Sequence, residues 1–151
     1  MVRHRAQRRR IRQRRRHLRR AGELPAPQED ALTAAGDTDG VIALATAYAD
    51  ARNHARAEEV LRDALVTAPD NAVLLANLAR VQILTRQYDA ATRNAYAALA
   101  ISPEYGFAMR IYAVALDAAG WVDQALCMAW RGVAAQPHDR LAHFVYAEML
   151  M

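Results

Sequence analysis

The chain has 151 residues, of which 54% are hydrophobic, and its single cysteine excludes a disulfide framework. No apolar run approaches the roughly 18 residues of a membrane-spanning helix, so an integral membrane protein is not expected. The formal net charge of +4 is unevenly distributed, because eleven arginines and no acidic residue lie in residues 1–20. All 16 acidic residues follow that segment. Abundant alanine and only 6 glycines favour helices over strands.

Residues 1–20 form an arginine-rich segment, here called the basic arm, and charge repulsion predicts that it is disordered when free. Against phosphates it would bind through counterion release, without sequence preference, since aromatic residues are absent. An acidic protein or lipid surface, a solvated tail and a misplaced translation start are the alternatives. The arginines expected to make contact are Arg8, Arg9, Arg10, Arg12, Arg14, Arg15, Arg16, Arg19 and Arg20.

Residues 21–37 contain Pro25 and Pro27 and predict a linker with room for one short helix. No apolar segment follows Arg20, so a secretory signal is not indicated and a cytoplasmic location is expected.

Residues 38–139 repeat with a fixed period, which divides them into three blocks of equal length, 38–71, 72–105 and 106–139. The most telling column is proline, because three of the 5 prolines fall in it. The matching positions are Pro69, Pro103 and Pro137, with two alanine columns at Ala45, Ala79 and Ala113 and at Ala57, Ala91 and Ala125.

Each block contains two apolar stripes with helical spacing, so each block predicts a helix-turn-helix unit. The small residues in matched columns should let paired helices approach closely. The prolines fall at the joins between blocks, where Asp70, Ser102 and Asp139 are the expected helix caps. The predicted fold is an all-α, right-handed α-solenoid of three such repeats. Residues 140–151 would add a C-terminal capping or half-repeat helix.

These columns resemble the tetratricopeptide repeat, a 34-residue helix-turn-helix unit with small residues at its eighth and twentieth positions and proline at its thirty-second. The resemblance covers residues 38–139. At the mid-block turn, where glycine is usual, this chain has Arg52, Arg86 and Gly120. At the eleventh position it has Tyr48, Gln82 and Leu116, so the second and third blocks are less typical.

The resemblance implies a concave groove, lined by the first helix of each unit, that binds a peptide or a partner helix. Mapped onto this chain, the expected groove is mostly apolar with two cations. Its residues are Asn77, Arg80, Ile83, Leu84, Phe107, Arg110, Ile111 and Val114.

Some co-chaperones of this family grip a C-terminal carboxylate with five lysine, asparagine and arginine side chains. Only Asn77 fits that clamp here, because the other matching positions are Ile42, Thr46, Phe107 and Ile111. A chaperone-tail clamp is therefore not expected, although Arg80 or Arg110 could pair with an acidic side chain of a ligand.

The sequence gives little support for catalysis or for a bound cofactor or metal. No glycine-rich phosphate loop, nucleophile–base pair or metal-ligand spacing occurs, so an enzyme, a cofactor and a metal site are not expected. Cys127 is expected to be a buried or half-buried hydrophobic residue. The favoured function is a non-enzymatic protein-interaction module or scaffold, and the alternative is a nucleic-acid-associated adaptor using the basic arm.

Residues 140–151 carry apolar positions that the third block cannot cover completely, among them Phe144 and Leu150. A solenoid needs a polar cap to stay soluble. The open end therefore pairs with another copy, continues into a longer array, or is an imperfect cap.

Overall fold

A computed structural model describes residues 38–151, and seven α-helices and no strand lie within them. The helices are α1 (Thr38–Asp50), α2 (His54–Thr67), α3 (Ala72–Leu84), α4 (Tyr88–Ile101), α5 (Gly106–Ala118), α6 (Val122–Ala135) and α7 (Arg140–Leu150). The prediction of an all-α fold built from helical repeats is confirmed. The basic arm and the linker lie outside the described residues.

The chain divides into two compact units, one that ends at Ala57 and one from Glu58 to Met151. In the first unit, α1 buries Leu44, Ala45 and Tyr48, each at most 1% exposed. The Arg56 guanidinium lies 5.9 Å from the centroid of the Tyr48 ring. A cation over the face of an aromatic ring is attracted by its quadrupole, so this contact holds the start of α2 against α1.

In the second unit, α3 packs on α4 and α5, and α5 packs on α4, α6 and α7. The helices α3, α5 and α7 begin at Ala72, Gly106 and Arg140, which are separated by one block length each time. Each helix-turn-helix pair therefore repeats its predecessor, and α7 begins a further repeat.

The alanine columns form the core of the second unit. Ala79, Ala91, Ala95 and Ala115 are fully buried in one cluster. Methyl side chains allow the helix axes to approach closely, as expected, and a larger side chain would force them apart. Gln82 is buried as well, and its Oε1 accepts a hydrogen bond of 2.7 Å from Asn94 Nδ2 of α4. The atypical glutamine is thus satisfied by a polar partner on the next helix.

The mid-block turns are alike in backbone although their residues differ. Arg52, Arg86 and Gly120 all have positive φ, at 60°, 62° and 91°. The residue after each one donates its backbone N–H to a carbonyl five residues earlier, at 2.8 Å in all three turns. This is the Schellman arrangement, which favours glycine at the left-handed position. Two of the three turns therefore hold an arginine in a conformation that suits glycine.

One of the expected helix caps was wrong. Asn71, not Asp70, caps α3, because its Oδ1 accepts the backbone N–H groups of Val73 and Leu74. Ser102 is a helix cap, but at the C-terminus of α4, where its backbone N–H donates to the Ala98 carbonyl oxygen. Asp139 is confirmed as the cap of α7, since its side chain accepts the Leu141 N–H. The turn that contains the proline lies between the blocks, so α3, α5 and α7 begin only after it, at positions 72, 106 and 140.

Candidate functional site

All eight predicted groove residues lie on α3 and α5 in the second unit, and these two helices contact each other. They are here called the α3–α5 face: Asn77, Arg80, Ile83, Leu84, Phe107, Arg110, Ile111 and Val114. Seven of them keep at least part of their surface exposed, and Asn77 is buried.

The aliphatic part of the α3–α5 face is anchored in the alanine core. Ile83 and Ile111 pack, partly buried, against the cluster that contains Ala79 and Ala115. Leu84, at the end of α3, is 50% exposed. Because the inner atoms of these side chains are fixed by packing, their outer atoms present an ordered apolar surface at small entropic cost.

The aromatic part lies at the start of α5. Phe107 packs against the buried cluster of Ala76, Ala98 and Ala108. The Tyr105 and Phe107 rings have centroids 5.9 Å apart and planes inclined by 51°. Burial raises the pKa of the Tyr105 hydroxyl, and the nearby Arg110 charge opposes that rise. The two rings pack together and form the aromatic part of the face at the start of α5.

Arg110 is held by its own chain. Its guanidinium lies 5.5 Å from the centroid of the Phe107 ring. Its Nε lies 3.4 Å from Asp139 Oδ2, and both side chains are largely buried. The other oxygen of Asp139 accepts the Leu141 N–H at 2.9 Å. One carboxylate thus caps α7 and binds α5, and an acidic ligand would have to compete with it for Arg110.

The polar residues on α3 differ in accessibility. Asn77 is only 6% exposed, and its Nδ2 donates to the Val73 carbonyl oxygen at 2.9 Å. Its amide nitrogen is therefore already bound within α3. Arg80, one turn further along, is partly exposed.

Sequence reasoning missed two residues of this site, Tyr105 and the Asp139 partner of Arg110. Asn71, Tyr105 and Asp139 each directly precede a first helix and occupy the same position in successive repeats. Applying the repeat period to Asp139 would have identified this column. Tyr105 makes no side-chain cap.

A depression lies between α4, α5 and α6, and sequence reasoning missed it because it considered only first helices. Its volume is about 210 Å³. The Tyr96 and Tyr112 rings meet edge to face there, with centroids 6.1 Å apart. The lining is mostly apolar, with two tyrosines and one arginine, and consists of Tyr96, Leu99, Ala100, Pro103, Met109, Tyr112, Met128 and Arg131.

The expectation for Cys127 was wrong, because the residue is exposed. It lies on α6 at a position that turns away from the buried Ala125 and Ala129. Its thiol therefore adds nothing to the core that those two alanines form.

The predicted contact arginines of the basic arm, Arg8 to Arg20, fall outside the described residues, so nucleic-acid binding by the arm stays a prediction. Within residues 38–151, no helix has the length and apolar character needed to cross a membrane. In the same range, no group of three or more His, Cys, Asp or Glu side chains is arranged to hold a metal ion.

Comparison with known proteins agrees with the repeat architecture. The sequence model of the tetratricopeptide repeat matches residues 38–81. A search of curated protein sequences gave no significant match. The fold, by contrast, is similar to that of many solved structures.

Three solved structures illustrate this similarity. The second tetratricopeptide domain of human RPAP3, in complex with the HSP70 peptide SGPTIEEVD, has a TM-score of 0.65 and 18% identity, over 71% of this chain and 89% of that one. The first such domain of Spaghetti (RPAP3), bound to the HSP90 peptide SRMEEVD, has a TM-score of 0.68 and 17% identity, over 73% and 89%. The Sgt2 domain from Aspergillus fumigatus has a TM-score of 0.68 and 19% identity, over 84% and 80%.

The helix pairs, the alanine and proline columns and the left-handed turns define a protein of α-helical repeats. They agree with the match of the tetratricopeptide-repeat sequence model to residues 38–81, and the fold is that of tetratricopeptide repeat domains.

Proposed function

We propose that this protein is a non-enzymatic interaction module that binds a peptide or a partner helix on the α3–α5 face. The observation that carries the proposal is the ordered apolar surface there. Ile83, Ile111 and Phe107 are fixed against buried alanines and keep their outer atoms exposed, and Leu84, which follows Ile83 at the end of α3, is half exposed. A partner helix could place residues at helical spacing on these side chains.

The ligand would be mainly apolar. The similar structures of RPAP3 and Spaghetti hold chaperone peptides that end in EEVD, but this chain has Phe107 and Ile111 at two clamp positions. Arg110 lies against Asp139, so an acidic residue of the ligand that approached Arg110 would compete with Asp139. Asn77, at 6% exposure, offers little contact surface.

The test starts from a displayed library of random peptides selected on the full-length protein. The affinity of a selected peptide is then measured by fluorescence anisotropy for the protein and for Leu84→Asp and Val114→Asp. Each variant places a charge on the α3–α5 face and should weaken binding at least about tenfold, because the charge would be desolvated on binding.

The matched control is Val66→Asp on α2, where an apolar residue outside the α3–α5 face is 84% exposed. It should change the affinity less than about twofold. Circular dichroism establishes that the three variants keep their helix content. Selected peptides whose affinity is unaffected by both face variants would show that binding occurs elsewhere.

A further inference from the structure

The last helix, α7, presents apolar side chains that the rest of the second unit leaves uncovered. Ala142 is 2% exposed and marks the side that packs on α5 and α6. Away from that side, Leu141 and Phe144 are each 58% exposed and Leu150 is 59% exposed. Leu141 and Phe144 are one turn apart on the same exposed side of α7 and form an apolar patch there, whereas Leu150 lies on another side of the helix.

The charged residues near the two ends of α7 have signs opposite to those that its own helix dipole favours. Arg140 is the first residue of the helix and Glu148 lies in its last turn. A helix N-terminus favours acidic side chains, and a C-terminus favours basic ones. Both charges are therefore placed where α7 by itself gains nothing from them.

A second α7 running in the opposite direction would make the same charges favourable. Arg140, Phe144 and Glu148 are spaced four residues apart and lie on one exposed face. With Phe144 on a two-fold axis, Arg140 of one copy meets Glu148 of the other, and Glu148 meets Arg140. Each charge then also lies near the helix end of the partner copy that it prefers.

The apolar residues agree with the same axis. Leu141 would lie opposite Ala147 of the partner copy, so a large side chain meets a small one, and the two Phe144 rings would meet at the centre. Each contact occurs twice, as an isologous dimer requires. Charge order, helix direction and side-chain size thus indicate the same arrangement.

We propose that α7 is a self-association surface on which a second copy of this chain binds, with the two α7 helices antiparallel about Phe144. The contact of one helix pair is small, so the dimer is weak, with dissociation in about the micromolar range. This interface uses none of the eight residues of the α3–α5 face, although Leu141, Phe144 and Glu148 are the equivalents of Phe107, Arg110 and Val114 one repeat later.

The first experiment measures the mass of the full chain by analytical ultracentrifugation over a concentration series. The weight-average mass should rise from 16.8 kDa toward twice that value. Phe144→Glu puts like charges on the axis and should weaken association at least about tenfold. Val66→Glu changes an exposed apolar residue on α2, and its mass should rise with concentration as it does for the unaltered chain.

A charge exchange tests the antiparallel geometry directly. Arg140→Glu and Glu148→Arg should each weaken the homodimer at least about fivefold, because like charges then face each other twice. An equimolar mixture of the two variants should associate as well as the unaltered chain, since every Glu again meets an Arg. The double variant R140E/E148R should also dimerise normally.

A chain that stays monomeric at every concentration would overturn the proposal, and so would a dimer that Phe144→Glu leaves intact. Failure of the two single charge variants to associate when mixed would refute the antiparallel arrangement. Peptide binding at the α3–α5 face is measured with Leu84→Asp and Val114→Asp, so different variants test the two proposals and either one can fail alone.

Discussion

The helices α5 and α7 occupy the same position in successive repeats, yet only α5 is covered. Leu116 of α5 is 3% exposed, whereas Leu150, at the equivalent position of the next repeat, is 59% exposed. Ala113 is buried, and its equivalent Ala147 is exposed. The difference arises because α6 packs on α5 and no described helix takes that place on α7. The same pattern in sequence thus gives core in one repeat and surface in the next.

The largest expected effect is the difference in stability lost when each of the two equivalent leucines is replaced by alanine. Leu116→Ala should lower the free energy of unfolding by about 2–4 kcal/mol, because it leaves a cavity in a packed core. Leu150→Ala should lower it by less than about 1 kcal/mol, since most of that side chain is already in water. Urea unfolding followed by circular dichroism, at a protein concentration too low for association, measures both. Equal losses would mean that α7 is covered in the monomer.

A smaller effect concerns how α7 is attached to α5. Asp139→Ala removes the helix cap and the partner of Arg110 and should cost about 1–2 kcal/mol of unfolding free energy. Asp139→Asn keeps a capping oxygen and should cost less than half as much. Hydrogen exchange of the first α7 amides measures the local loss. Equal protection in both variants and the unaltered chain would assign the attachment of α7 to packing alone.

The smallest effect extends the comparison from the helices to the turns that follow α3 and α5. Gly120→Ala should lower the free energy of unfolding by about 1 kcal/mol, because φ is 91° there. An added Cβ would meet no atom within 4 Å, so no steric clash adds to that cost. Arg86→Gly, at φ 62°, should instead stabilise by about 0.5–1 kcal/mol. Thermal unfolding of the two variants measures both signs. Destabilisation by Arg86→Gly would indicate that the arginine side chain contributes more than its backbone costs.

The α3–α5 face was partly predictable. The repeat period placed all its residues on two adjacent helices, and the resemblance to the tetratricopeptide repeat, not apolar spacing, pointed to Ile83 and Ile111. Periodicity could not show that the Asn77 amide would donate to the Val73 carbonyl oxygen. Nor could it show that Tyr105, at an N-cap position, would pack its ring on Phe107. Those outcomes depend on neighbours from another turn or another helix, which a one-dimensional pattern does not contain.

The sequence by itself determined the helix pairs, their regular period and the alanine and proline columns, because these follow from backbone geometry and the size of single residues. Only the tertiary structure decided which apolar positions are buried, since burial depends on the next helix along the array. It also decided that Asp139 serves two helices at once. That pairing joins α5 to the start of α7 through space, and neither helix specifies it alone.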